Sequence, residues 1–198
     1  KPMRIPGAGD QPPKLGNGFT RMLGRWLFVL LGWRVQGELP NEAKMVAIGA
    51  PHARSYDVVI GLSLILGLGV RISWMAKHTA FQNPFGSIMR KLGGLPINRT
   101  ARFNVVEQMV QKLQEAERLI LVVMPEGSRS RAGIPVREWR TGFYYIALGA
   151  NVPIAPVYVD NPNKCIIFGP ALMPTGDKDA DFARLQAFYS NPDREPSS

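Results

Sequence analysis

The sequence predicts an α/β fold: a single layered domain with a largely parallel central sheet flanked by helices, preceded by an N-terminal amphipathic helix. Short apolar runs at 45–50, 70–75, 95–98, 119–124, 154–159 and 165–168 alternate with segments of helical period. These runs are almost continuously apolar, as expected of strands covered on both faces. The length of 198 residues suits one substantial core, and an apolar content of 45% places the chain among globular proteins.

Taken in order, residues 1–17 are rich in Pro, Gly and polar residues and read as a flexible tail. Residues 19–33 have helical character. Arg21, Arg25 and Gly32 fall on one narrow stripe at about 100° per residue, and apolar side chains cover the rest. That pattern fits a helix lying in a membrane interface, with Trp26 and Trp33 at headgroup level, and equally a helix packed on the core. After the first strand, 55–66 reads as a helix closed by Gly67, and 84–92 as a short helix. Phe103, Val106, Val110, Leu113 and Ala116 keep a helical period behind Thr100 as a possible N-cap. Helices are also expected at 140–148, near Gly149, and at 179–189. The longest apolar stretch, 58–70, has 13 residues. A membrane span needs about 20, so no transmembrane helix is expected. No signal-peptide pattern is visible.

Charge is distributed unevenly. Residues 1–100 hold 13 Lys/Arg against 4 Asp/Glu, whereas 101–198 hold 11 of each, so the whole net charge of +9 lies in the first half. Such a surface attracts the phosphates of nucleic acid, of anionic lipid or of a phosphorylated substrate. The chain has no recognised nucleic-acid-binding module, phosphate loop or dinucleotide fingerprint. The segment Gly127-Ser128-Arg129-Ser130 is not a Gly-x-Ser-x-Gly elbow. One cysteine and two histidines give no zinc spacing, and Cys165, within an apolar run, reads as a buried filler.

His52 follows the first strand and Asp57 lies five residues later. On a regular helix that spacing leaves the side chains roughly 140° apart. They can meet if His52 is in the loop and Asp57 in the first turn of the next helix. Asp57 could then accept the imidazole N–H and support His52 as a general base toward a hydroxyl. Taken alone, the pair fits a structural hydrogen bond as well. Three further segments stand at strand ends: 93–99 closing on Arg99, Met124-Pro125-Glu126-Gly127-Ser128-Arg129-Ser130 after the clearest strand, and the proline-bracketed 152–157.

These four ordered blocks resemble the lysophosphatidic acid acyltransferase family of glycerolipid acyltransferases. The resemblance covers about residues 20–190 and includes Lys77 with the Phe81, Pro84, Gly86 pattern. Pro51, Asn98 and Ser128 stand where the family commonly has Asn, Asp and Thr. The segment from Trp139 to Tyr145 is similar to that of small bacterial members. The organisation implied is a tail at 1–17, an amphipathic helix at 18–36 and an acyltransferase domain at 37–198.

The resemblance implies His52 and Asp57 as the catalytic pair. It implies that Arg99 and Arg129 bind a phosphate or other anionic headgroup, as a guanidinium fork suits. Glu126, Gly127 and Ser128 would border the acceptor pocket; the alternative for Glu126 is a turn organised with Arg129 or Arg131. Lys77 would add charge near the headgroup or be a plain surface lysine, and His78 is expected to be structural or exposed. The implied activity moves a fatty acyl group from acyl-CoA or acyl carrier protein, as co-substrate, to the hydroxyl of a lysolipid such as 1-acylglycerol-3-phosphate. No metal or resident cofactor is implied. The expected setting is the cytoplasmic face of a membrane, bound peripherally. The alternatives are a different lysolipid acceptor, such as a lyso amino-acid lipid, and a noncatalytic protein that binds anionic membrane.

Overall fold

Seven strands form one sheet in the order β1-β7-β6-β2-β5-β3-β4 in the computed structural model, which describes residues 5–51, 57–82, 84, 86–97, 104–127 and 134–191, with backbone alone at 57, 58, 77, 80, 88 and 104. The strands are β1 (Arg34–Gln36), β2 (Lys44–Ala50), β3 (Ile72–Lys77), β4 (Gly94–Ile97), β5 (Leu119–Val123), β6 (Ile154–Asp160) and β7 (Cys165–Phe168). The helices are α1 (Gly18–Leu30), α2 (Asp57–Leu68), α3 (Gly86–Lys91), α4 (Asn104–Glu115), α5 (Gly142–Ala150) and α6 (Lys178–Tyr189). All neighbouring pairs are parallel except β6 and β7, so the expected α/β class and largely parallel sheet are observed. Cys165 is buried, as expected.

Alternate residues of the central strands supply two cores. Val46 and Ile48 of β2, with Leu121 of β5, pack with Met109 and Leu113 of α4, Phe143 and Ile146 of α5 and Leu185 of α6. Met45 and Ala47, with Ile120, pack with Phe28 of α1 and Ile60 and Leu64 of α2. The period-2 alternation of a strand thus places α1 and α2 on one face and α4, α5 and α6 on the other. Pro156 is tolerated inside β6 because the register with β7 starts only at Val157. Strand β1 went unread because it has three residues, one of them apolar, at the sheet edge.

Helix α1 starts at a capping box. The Asn17 side chain accepts from Thr20 N–H at 3.1 Å, and Asn17 N–H donates to Thr20 Oγ1 at 2.8 Å. Its end comes earlier than periodicity predicted. Gly32 adopts φ +77°, its N–H donates to Val29 O at 2.9 Å, and Trp33 N–H donates to Phe28 O at 3.1 Å. This paired return closes the helix and folds Trp33 onto Phe28, with ring centroids 6.4 Å apart. Trp33 is therefore buried in the core, and its expected place at headgroup level is corrected.

Two glycines read as helix terminators are packing residues instead. Gly69, not Gly67, takes the left-handed conformation after α2, and Asn151, not Gly149, does so after α5. Gly67 lies against Arg25 and Ile5, and Gly149 against Val110 of α4. Strand β3 also begins two residues later than predicted, because the chain is still turning at Gly69 and Val70.

The described part of the tail, residues 5–17, is attached rather than loose. Leu15 N–H donates to Gly69 O and Arg71 N–H to Pro13 O, both at 2.8 Å, while Ile5 is buried beside α2. Composition alone did not reveal these backbone partners. Thr100, the candidate cap of α4, lies outside the described residues.

Helices α1 and α2 cross antiparallel at Gly24, where a Cβ would come within 2.5 Å of Gly67 N and 2.7 Å of Leu66 Cβ. Gly24→Val should therefore pry the helices apart and cost about 1–3 kcal/mol, read as a lower urea midpoint. Gly18→Ala, where a Cβ meets nothing within 4 Å, should leave the midpoint unchanged or slightly raised.

Candidate active site

The chain leaves β2 toward β3 on one side, and leaves β5 toward β6 on the other. Each connection passes over the other's strand, with α2 on one face and α5 on the other, so both start from the carboxyl ends of β2 and β5, the edge at which open α/β sheets bind ligands. The β2 exit carries the His-x4-Asp block and the β5 exit carries the Glu-Gly block. Register sets their heights: Ile48 pairs with Val123, so Gly49 is level with Met124. Met124, 40% exposed, fills the space a side chain at position 49 would need, its Sδ lying 3.2 Å from an ideal Cβ there.

After β2 the Ala50–Pro51 peptide is cis, and Asp57 is the first residue of α2. That is the position from which the sequence argument lets it face a loop histidine. His52 lies outside the described residues, as do Arg99, Ser128 and Arg129, and nothing is described of the Asp57 and Lys77 side chains.

Glu126 is 1% exposed, so its carboxyl is set into the protein rather than displayed on the turn. Gly127 takes φ +81°, a conformation costly for residues with a side chain, and its N–H donates to Met124 O at 3.1 Å. Arg140 closes the turn from the far side. Its N–H donates to Pro125 O at 2.9 Å, and its side chain lies across Gly127, where a Cβ would come within 2.4 Å of Nε. Arg140 was not singled out from sequence, since only three-dimensional contact sets it beside Gly127.

Lys77 ends β3, paired with Ile97 of β4. Position 99 follows two residues after β4 ends. All the expected site residues therefore leave or follow four adjacent strands, β2-β5-β3-β4, at one edge of the sheet. With neighbouring strands about 4.8 Å apart, the row is roughly 14 Å wide. His78 opens the 3-10 turn after β3; it is half-buried, and its Nδ1 is shielded and has no hydrogen-bond partner. No group of three His, Cys, Asp or Glu among the described residues is arranged to hold a metal.

Burial pushes the Cys165 thiol up, with Arg34 opposing the shift, so it stays protonated. Burial also pushes the Tyr144 phenol up, and its hydrogen bond to Asp181 adds to the shift. Both groups are buried.

Gly127→Ala should cost about 1–2 kcal/mol, because it adds a Cβ at positive φ and against Arg140. Adding Arg140→Ala should return the steric part and leave the backbone part. Urea unfolding of the two variants measures both.

A family profile described as Acyltransferase matches residues 33–160. The chain is 29% identical over 155 residues to the 1-acyl-sn-glycerol-3-phosphate acyltransferase of Haemophilus influenzae, covering 74% of this chain and 62% of that protein. It is 30% identical over 161 residues to the Escherichia coli protein of the same name, covering 78% and 63%. The chain thus spans somewhat under two thirds of the length of these curated relatives. The crystal structure of the 1-acyl-sn-glycerophosphate (LPA) acyltransferase, PlsC, from Thermotoga maritima shares the fold, with a TM-score of 0.59 and 17% identity over 86% of this chain and 75% of that one. By the extent of the profile match, the chain belongs to the acyltransferase family.

Proposed function

We propose that this chain transfers a fatty acyl group from an acyl thioester, acyl-CoA or acyl carrier protein, to the hydroxyl of a lysolipid, with 1-acylglycerol-3-phosphate as the preferred acceptor. The observation that supports this reading is that the His-x4-Asp and Glu-Gly blocks follow the carboxyl ends of two neighbouring parallel strands, β2 and β5. The names of the curated relatives support the acceptor.

In the proposed step, His52 takes the proton of the acceptor hydroxyl as its oxygen attacks the thioester carbonyl. The C–O bond forms, the C–S bond breaks, and the proton passes from His52 to the departing thiolate. The products are an ester and a free thiol. Asp57 holds the imidazole and stabilises its charged form. Arg99, Arg129 and Lys77 bind the anionic headgroup, with Glu126, Gly127 and Ser128 lining the acceptor side. The thioester is a co-substrate, and no resident cofactor takes part.

The reading includes peripheral attachment to the cytoplasmic face of a membrane. No described helix is long and apolar enough to cross one. Instead, α1 buries Gly24 and Phe28 and lays Arg21 and Arg25, both exposed, along α2. Arg25 Nε donates to Gly67 O at 3.0 Å, and the Arg21 stem lies on Gly69. The apolar side faces out, with Phe19, Met22, Trp26 and Leu30 each 62–67% exposed. Val59 and Leu62 of α2 extend the patch toward the Asp57 end. An apolar surface of this kind, on the basic half of the chain, suits an anionic lipid interface.

Transfer from long-chain acyl-CoA to a lysolipid panel tests the chemistry. Wild-type protein should acylate 1-acylglycerol-3-phosphate, and His52→Ala should lower turnover by about 10²–10⁴-fold with an unchanged circular dichroism spectrum. Near-normal turnover in that variant defeats the assignment, and preference for a lyso amino-acid lipid would move the acceptor. For attachment, Trp26→Ser with Leu30→Ser should reduce flotation with anionic liposomes severalfold. Equal flotation would sink the anchor. Surface substitutions are the cleaner probe, since deleting 1–34 also removes Phe28 and Trp33 from the core.

A further inference from the structure

The carboxyl end of β2 receives a hydrogen bond from outside the sheet. In a parallel ladder a strand's successive bonds advance two residues at a time, and Val46 N–H to Pro153 O at 3.0 Å fixes the phase between β2 and β6. The rung at the Ile48–Pro156 pair then belongs to Val157 N–H and Ile48 C=O. The Tyr189 hydroxyl sits on that rung. It accepts from Val157 N–H at 3.2 Å, and it lies 2.9 Å from Ile48 O and 3.2 Å from Val157 O. A phenol has one proton to give, and the shorter contact directs it to Ile48 O.

The ring is braced as well. Its centroid lies 4.8 Å from that of Trp139 at an interplanar angle of 78°. Trp139 is buried, and its Nε1–H donates to Ile134 O at 3.3 Å. The next residue, Arg140, donates its N–H to Pro125 O, at the turn that carries Glu126 and Gly127. One side chain, at the last residue of α6, thus links the carboxyl end of β2 and the middle of β6 to the support of the turn after β5.

We propose that Tyr189 is a positioning residue for acyl transfer. Its hydroxyl fixes the exit of β2, four residues before His52, against β6, and its ring fixes the 125–127 turn through Trp139. The inference rests on the reading of His52 as the general base. A second clip at the other end of α6 separates this role from plainly holding the helix in place: Tyr144 OH donates to Asp181 Oδ2 at 3.0 Å in the first turn of α6.

Tyr189→Phe keeps the ring and removes only the hydroxyl. For transfer from acyl-CoA to 1-acylglycerol-3-phosphate, kcat should fall about tenfold or more, since small misplacements of a reacting group are costly. KM for both substrates should stay within about twofold, because no substrate contact is lost. Tyr144→Phe should lower Tm by a few degrees, as loss of a buried hydrogen bond does, and leave kcat within about twofold of wild type. Wild-type kcat in Tyr189→Phe overturns the inference. An equal kcat loss in Tyr144→Phe also overturns it, by reducing the effect to a loosened helix. His52→Ala is run alongside. If it is inactive while Tyr189→Phe is normal, only the inference falls. If it matches wild type, the inference falls together with the chemistry on which it rests.

Discussion

Strand β2 is hydrogen-bonded to β5 along one edge and to β6 along the other, and six of its seven residues are buried. A strand held in this way cannot slip by one residue, because the slip would exchange every side chain between the two cores. Its carboxyl end is therefore a fixed point. Asp57 follows as the first residue of α2, and α2 is anchored by Ile60 and Leu64 beneath the sheet. The β5 exit is registered against the same strand through the Ile48–Val123 pair. A site built from these two exits inherits its geometry from core packing rather than from the loops themselves.

The same packing explains why α1 is oriented as it is. A close antiparallel crossing needs a small residue at the contact, and Gly24 against Leu66 and Gly67 supplies it. The arginines flanking Gly24 then lie along α2, Phe28 enters the core, and Phe19, Met22, Trp26 and Leu30 are left toward solvent. Close packing of two helices and an exposed apolar face are one arrangement seen from two sides. Antiparallel crossing also carries the outer face of α1, through Trp26 and Leu30, toward the end of α2 where Asp57 sits.

Much of the fold was legible in the sequence because buried parallel strands are continuous apolar runs. The run at 165–168 was read with both ends correct. Errors arose wherever one residue type serves two physical ends. Glycine either permits a left-handed turn or removes a Cβ from a contact, and composition cannot separate these uses. Gly67 and Gly149 were read as the first and are the second. Of the two places open to Trp33, headgroup level followed from running the helix through Gly32, whose turn in fact folds the indole into the core. Of the site, the strand-end setting was legible, since each block follows an apolar run. Arg140 and Tyr189 were not, because their contacts join segments far apart in the chain. His52, Arg99, Ser128 and Arg129 lie outside the described residues, and their roles rest on the sequence pattern and its position in the fold.

The central claim is that the β2 exit and the start of α2 act as one catalytic unit. A double-mutant cycle on His52→Ala and Asp57→Asn, read as kcat for acyl transfer from acyl-CoA to 1-acylglycerol-3-phosphate, tests it most directly. If Asp57 acts through His52, each single variant loses turnover and the double variant is no worse than His52→Ala alone. Losses that multiply in the double variant, or full turnover in Asp57→Asn, would show two independent groups and contradict the account.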